Sequence, residues 1–277
     1  MNDFLKKEDY QEPDCPLCID NLKRGTNISP IPVSRVIEKL DSYFSKNDYE
    51  GAERHLLYWK NEAELGFDSR GKFTVLNELM GLYRKTAQKE KAFSTVEETL
   101  SLIKETESES SISSATAYLN AATVYKAFGE LSRSLELFKK AAAIYETELK
   151  EDDERFGGLY NNYALTLVDL KRFDEGISLY EKALATMKKI KNGELEQAIT
   201  HLNIADLFEQ KDGIEKAEND INFRLDTAEK LLDTETLPKN GYYAFVCEKC
   251  APTFLYYGRF AYANELKKRA KEIYERS

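Results

Sequence analysis

The strongest constraint on this chain is an internal repeat. The stretch YLNAATVYKAFGELSRSLELFKKAAAIY from Tyr118 and the stretch YNNYALTLVDLKRFDEGISLYEKALATM from Tyr160 follow one pattern without a gap, offset by 42 residues. In each, apolar residues recur at three- and four-residue steps, break at a turn (Gly129-Glu130 and Lys171-Arg172) and resume. That is the periodicity of two amphipathic helices joined by a tight turn. One such hairpin cannot cover its own apolar face, so it stacks on its neighbours, and the chain is predicted to be all-α.

The pattern extends in both directions as aligned columns. One column holds Leu40, Met80, Ala122, Ala164, Ala205 and Ala251; three residues later comes Tyr43, Tyr83, Tyr125, Leu167, Phe208 and Phe254. A third holds the small residues Ala52, Ala92, Ser134, Gly176, Ala217 and Ala263, and a fourth Leu56, Val96, Phe138, Tyr180, Ile221 and Lys267. Small residues where helices cross, with large ones filling the gaps beside them, are what close hairpin packing requires. Lys267 departs from its column in the last unit, where LKKRAKEIYERS reads as a polar end cap.

These columns resemble the eighth, eleventh, twentieth and twenty-fourth positions of the tetratricopeptide repeat. The units recur every 40 to 46 residues, longer than the roughly 34 of the simplest repeat. They resemble the extended repeats of kinesin light chains, which share the Asn-Asn-x-Ala and Tyr-x-x-Ala-Leu wording seen at Asn161-Asn162-Tyr163-Ala164 and Tyr180-Glu181-Lys182-Ala183-Leu184. The resemblance implies a right-handed superhelical solenoid of about six antiparallel helical hairpins. The repeats are placed at 34–67, 70–106, 112–150, 155–192, 194–233 and 240–277, after a leader over residues 1–33.

In such a solenoid the first helix of each unit lines the concave face. Asn120, Asn162 and Asn203 stand at the sixth position of three consecutive repeats, with Asn77 and Asn161 at the fifth position of their own. An amide offers both a donor and an acceptor to an extended backbone, and the resemblance implies that these five asparagines clasp a bound peptide. The alternative is that they bridge adjacent helices. Arg84 and Lys126, one turn further along, would add a positive rim. The carboxylate clamp of chaperone-binding relatives does not fit, because its cation positions hold residues such as Leu119, Gly158 and Ile199.

The remaining motifs are weaker. Cys15-Cys18 and Cys247-Cys250 have the spacing of a four-thiolate zinc site. However, the second pair falls where the family buries apolar side chains, so core thiols are the expected reading. His201 also occupies a core position, and no nucleophile elbow, phosphate loop or metalloprotease motif occurs. Neither catalysis nor a cofactor is expected.

The leader carries four of the six prolines. It reads as loosely ordered, as a strap packed through Phe4, Leu5, Leu17 and Ile19, or as a built-in pseudo-ligand. A net charge of −9 opposes nucleic-acid binding, and no apolar run is long enough for a membrane span. The expectation is a cytoplasmic scaffold that holds a protein or peptide segment in its groove. A peptide-sensing regulator and a structural oligomerisation module are the alternatives, and a homodimer is left open.

Overall fold

The computed structural model describes residues 28–276. The leader residues Phe4, Leu5, Cys15, Leu17, Cys18 and Ile19 lie outside them. The described residues contain twelve α-helices and no strand, and they divide into two compact units, one ending at Thr147 and one beginning at Glu148.

The first unit holds α1 (Val33–Phe44), α2 (Tyr49–Leu65), α3 (Ser69–Lys85), α4 (Lys89–Glu105), α5 (Ile112–Ala127) and α6 (Leu131–Glu148). The second holds α7 (Arg155–Asp169), α8 (Phe173–Met187), α9 (Glu194–Asp212), α10 (Ile214–Leu232), α11 (Gly241–Tyr256) and α12 (Phe260–Tyr274). In the first unit α1 packs on α2, α2 on α3, α3 on α4 and α4 on α5, and in the second α7 packs on α8, α8 on α9, α9 on α10 and α11 on α12; α3 also meets α5, as α9 meets α7 and α11.

The turns inside the hairpins share one device. Asn47, Ala87, Gly129, Lys171, Gly213 and Gly258 each sit between two helices with positive φ, from 54° to 83°. A single left-handed residue reverses the chain within about one helical turn. At Gly213, with φ 82° and ψ 156°, one residue ends α9 and starts α10, a backbone conformation open in practice only to glycine.

The columns become the core. The eighth-position residues Leu40, Met80, Ala122, Ala164, Ala205 and Ala251 are buried, as are Ala52, Ala92, Ser134, Ala217 and Ala263 at the helix crossings. Ser134 resolves its polarity by donating from Oγ to the Ala122 carbonyl at 2.8 Å. First helices bury residues on more than one side because they face two neighbours. In α9, Leu195, Ala198, Ile199, Leu202 and Ala205 enter one cluster, and Ile204 and Leu207 enter another shared with α7 and α8. Second helices such as α10 bury a single stripe, Ala217, Ile221, Leu225, Ala228 and Leu232.

Two tyrosines of the aromatic column in the first unit end in the same arrangement. Tyr83 donates to Glu53 and Tyr125 to Glu97, each at 2.9 Å, while Lys91 and Arg133 pair with those carboxylates and lie over the same rings. The apolar ring fills the hairpin interface and the polar tip locks its orientation.

A proline inside a helix removes one backbone hydrogen bond and ordinarily kinks or ends it. Here α11 runs through Pro252, from Gly241 to Tyr256. Pro252 is on the exposed side of the helix, where the carbonyl it leaves unpaired can meet water.

Candidate functional site

In the first unit the candidate asparagines meet in a pair. Asn77 on α3 is half-buried and donates from Nδ2 to the Phe73 carbonyl of its own helix at 2.9 Å. Its Oδ1 accepts from Asn120 Nδ2 on α5, also at 2.9 Å. The amide pair therefore bridges the first helices of neighbouring hairpins. Among the described residues Asn120 Oδ1 accepts no hydrogen bond, so one side of this half-buried amide stays open. Arg84 is exposed near the end of α3, and Lys126 is half-buried near the end of α5.

The second unit repeats the division of labour with different partners. Asn161 on α7 is buried, and its Nδ2 donates to Thr200 Oγ1 on α9 at 2.9 Å. The Thr200 hydroxyl lies 3.0 Å from Asn161 Oδ1 and 2.8 Å from the Glu196 carbonyl. Asn203 approaches Asn161 Oδ1 through Nδ2 at a long 3.5 Å. Asn162, half-buried, donates from Nδ2 to the Gly158 carbonyl at 2.8 Å. The Oδ1 atoms of Asn162 and Asn203 accept nothing among the described residues.

The five asparagines thus fall into two kinds. Asn77 and Asn161, at the fifth position, spend both ends of the amide on neighbours. Asn120, Asn162 and Asn203, at the sixth, spend the donor and keep the acceptor. Thr200, which completes the bridge in the second unit, escapes notice in the sequence. It lies one helical turn before Asn203, a spacing that puts the two on one face of α9.

His201, adjacent to Thr200, is buried, and its Nδ1 accepts from the Arg224 guanidinium at 3.2 Å. Burial, with the positive charges of Arg224 and Lys188, holds its pKa down at about 4. Because the folded value lies below the ordinary 6.5 or so, stability is complete above about pH 6.5 and is lost as pH falls towards 4. Between pH 7 and pH 5 wild type should lose about 2 kcal/mol more than His201→Asn. Asp206, raised by burial to about 6, works in the opposite sense but is common to both proteins. Urea unfolding of the pair at the two pH values measures the difference, and equal losses would refute the buried neutral imidazole.

Cys247 and Cys250 on α11 are both buried thiols. Burial raises both pKa values, that of Cys250 to about 12, so neither is poised as a thiolate. No group of His, Cys, Asp and Glu among the described residues is arranged to hold a metal ion. No helix among them is long and apolar enough to cross a membrane.

Two family profiles, both described as tetratricopeptide repeat, match residues 114–154 and 156–222. No curated protein matches the sequence. Among solved structures, the chain is similar to nearly identical TPR-like repeats from Podosopora anserina described as a kinesin light chain. That likeness has 16% identity and a TM-score of 0.51, covering 72% of this chain and 92% of that one. A Rap protein complexed with Competence and Sporulation Factor aligns at 14% identity and TM-score 0.58, over 90% of this chain and 66% of its own. NprR in complex with its cognate peptide NprX aligns at 14% identity and TM-score 0.54, over 91% of this chain and 71% of its own. At such identities these structures speak to the fold, an all-α helical-repeat architecture, and the profiles identify tetratricopeptide repeats over residues 114–154 and 156–222, in a chain whose helical repeats are similar to the TPR-like repeats described as a kinesin light chain.

Proposed function

We propose that the chain is a binding scaffold that clasps the backbone of an extended protein or peptide segment along the first helices of the hairpins within a unit. The observation that carries this reading is the split between the two kinds of asparagine. Asn77 and Asn161 are tied to the adjoining helix, which holds the wall rigid. Asn120, Asn162 and Asn203 keep an unused acceptor, able to take a backbone N–H whatever side chains the ligand bears. A preorganised wall limits the entropy lost on binding, so several modest hydrogen bonds can give useful affinity.

In this reading Arg84 and Lys126 set the charge preference of the first unit. Two proteins of the same fold were solved with bound factors, one of them a cognate peptide, which supports a peptide as the occupant here. We place the scaffold in the cytoplasm, where buried cysteines such as Cys247 and Cys250 are ordinarily kept as thiols.

The test is affinity capture from native lysate with wild type beside the triple variant Asn120→Ala, Asn162→Ala, Asn203→Ala, whose helicity and melting are checked by circular dichroism. A partner held by wild type and lost from the folded variant is the expected result. Equal retention would place binding elsewhere. The companion variant Asn77→Ala should instead lower stability, because it leaves Asn120 without its bridge.

A further inference from the structure

In the second unit, α11 sets a row of exposed aromatic rings beside carboxylates on α9. Tyr242 is 47% exposed, Phe245 51% and Tyr256 65%. Tyr242 and Phe245 stack with centroids 6.2 Å apart, and Tyr256 packs edge-on against Tyr257 at 5.0 Å. The tyrosine hydroxyls point at α9. Tyr242 donates to Glu196, Tyr256 to Glu209 at 2.5 Å, and Tyr257 lies 3.0 Å from Asp206 and 2.6 Å from Glu209.

A tyrosine hydroxyl orients a carboxylate but leaves its charge intact. Among the described residues Glu196, Asp206 and Glu209 form no ion pair, whereas charged residues elsewhere in the unit, such as Lys211 with Asp174 and Arg269 with Asp233, are paired. On the α7 and α8 side of α9, Tyr180 shares a buried cluster with Ile204 and Leu207 and has a hydroxyl that finds no hydrogen bond among the described residues. Large rings left in water next to unneutralised carboxylates form a surface that is incomplete by itself.

We infer that the face shared by α9 and α11 is a docking surface for a basic segment, whose lysine or arginine side chains lie over Tyr242, Phe245 and Tyr256 and meet Glu196, Asp206 and Glu209. Charge complementarity selects this occupant. A cation over an exposed ring gains from the ring quadrupole while its stem covers apolar surface, and a nearby carboxylate neutralises it. An acidic segment would bring like charge against three carboxylates. Because Asn203 lies on α9 between Glu196 and Asp206, this inference rests on the backbone-clasping reading and adds the chemistry of the partner.

The experiment is selection of a random dodecapeptide display library on the full chain, followed by measurement of the enriched peptides against three variants. Asp206→Asn with Glu209→Gln removes two charges from the proposed face while keeping hydrogen-bond acceptors for Tyr256 and Tyr257. Glu215→Gln with Glu218→Gln removes two exposed charges from α10 and controls for the net charge of −9. Asn203→Ala removes the amide alone. The expected result is enrichment in lysine and arginine, with binding weakened about tenfold by the first variant and within about twofold of wild type for the second.

Neutral or acidic enriched peptides, or equal losses from both charge variants, would overturn the inference. Peptides sensitive to Asn203→Ala but not to the charge variants would leave the clasp standing without it, and the reverse would leave the basic partner without the clasp. No enrichment at all would remove both. If the double variant fails to fold, Glu209→Gln alone serves.

Discussion

Truncating Phe254 to alanine should cost the second unit about 3–5 kcal/mol. The ring is fully buried, meets the edge of Tyr262 at 4.9 Å, and belongs to the cluster that joins α9, α10, α11 and α12. Neighbouring Ala251 and Ala263 are already small and backbone-close, so the surroundings have little with which to refill the space. Phe245→Ala, on the same helix but half-exposed, should change stability by no more than about 1 kcal/mol. Hydrogen exchange of the α11 and α12 amides measures both. Comparable loss of protection in the two variants would mean that α11 is packed differently from the arrangement described here.

Asp68→Ala should destabilise the first unit by about 2–4 kcal/mol, the sum of a lost helix cap and a stranded donor. Asp68 is only 4% exposed and serves two segments at once. Its Oδ1 accepts from the Gly71 amide at 2.8 Å, capping α3, while Oδ2 accepts from the Ile31 amide at 2.9 Å and ties the chain before α1 to the second hairpin. Gly71 is needed for closeness rather than for a special dihedral. A Cβ there would lie 2.1 Å from Asp68 Oδ2 and 2.6 Å from Ile31 Cγ1.

Asp68→Asn should fall between the two, because the amide keeps one acceptor and turns the other into a second donor facing an N–H. Urea unfolding followed by the fluorescence of Trp59, the sole tryptophan and a residue of α2, reads the first unit directly. Loss of less than about 1 kcal/mol in Asp68→Ala would mean that water replaces the carboxylate at Ile31.

Several features of the fold were legible before any coordinates. The residues of the eighth column and those at the helix crossings recur with the repeat, and they are buried in both units. Lys267, the exception in its column, is exposed on α12. Cys247 and Cys250 read as core thiols from their place in the repeat, and they are buried.

The candidate site was legible only in part. Asn161 and Asn162 are adjacent in sequence, about 100° apart around one helix. Periodicity puts both near the face between hairpins and does not say which one turns inward. The packing of α7 against α9 turns Asn161 towards Thr200 and leaves Asn162 on its own helix. The tyrosines of α11 and its C-cap that reach Glu196, Asp206 and Glu209 lie 46 to 51 residues away, beyond any spacing that a helical period can suggest.

The sequence by itself determined the class of fold, the length of the repeat, the buried columns and the helices that carry polar amides. Each of these follows from local periodicity, which fixes the face of a helix on which a side chain sits. Tertiary structure decided which amides are spent and which stay open, which carboxylates are paired, and where aromatic rings meet charge. Those outcomes depend on the angle and register at which one hairpin settles on the next, which decide which of two adjacent asparagines faces the neighbouring helix. That angle is set by the summed packing of many side chains and by no short motif.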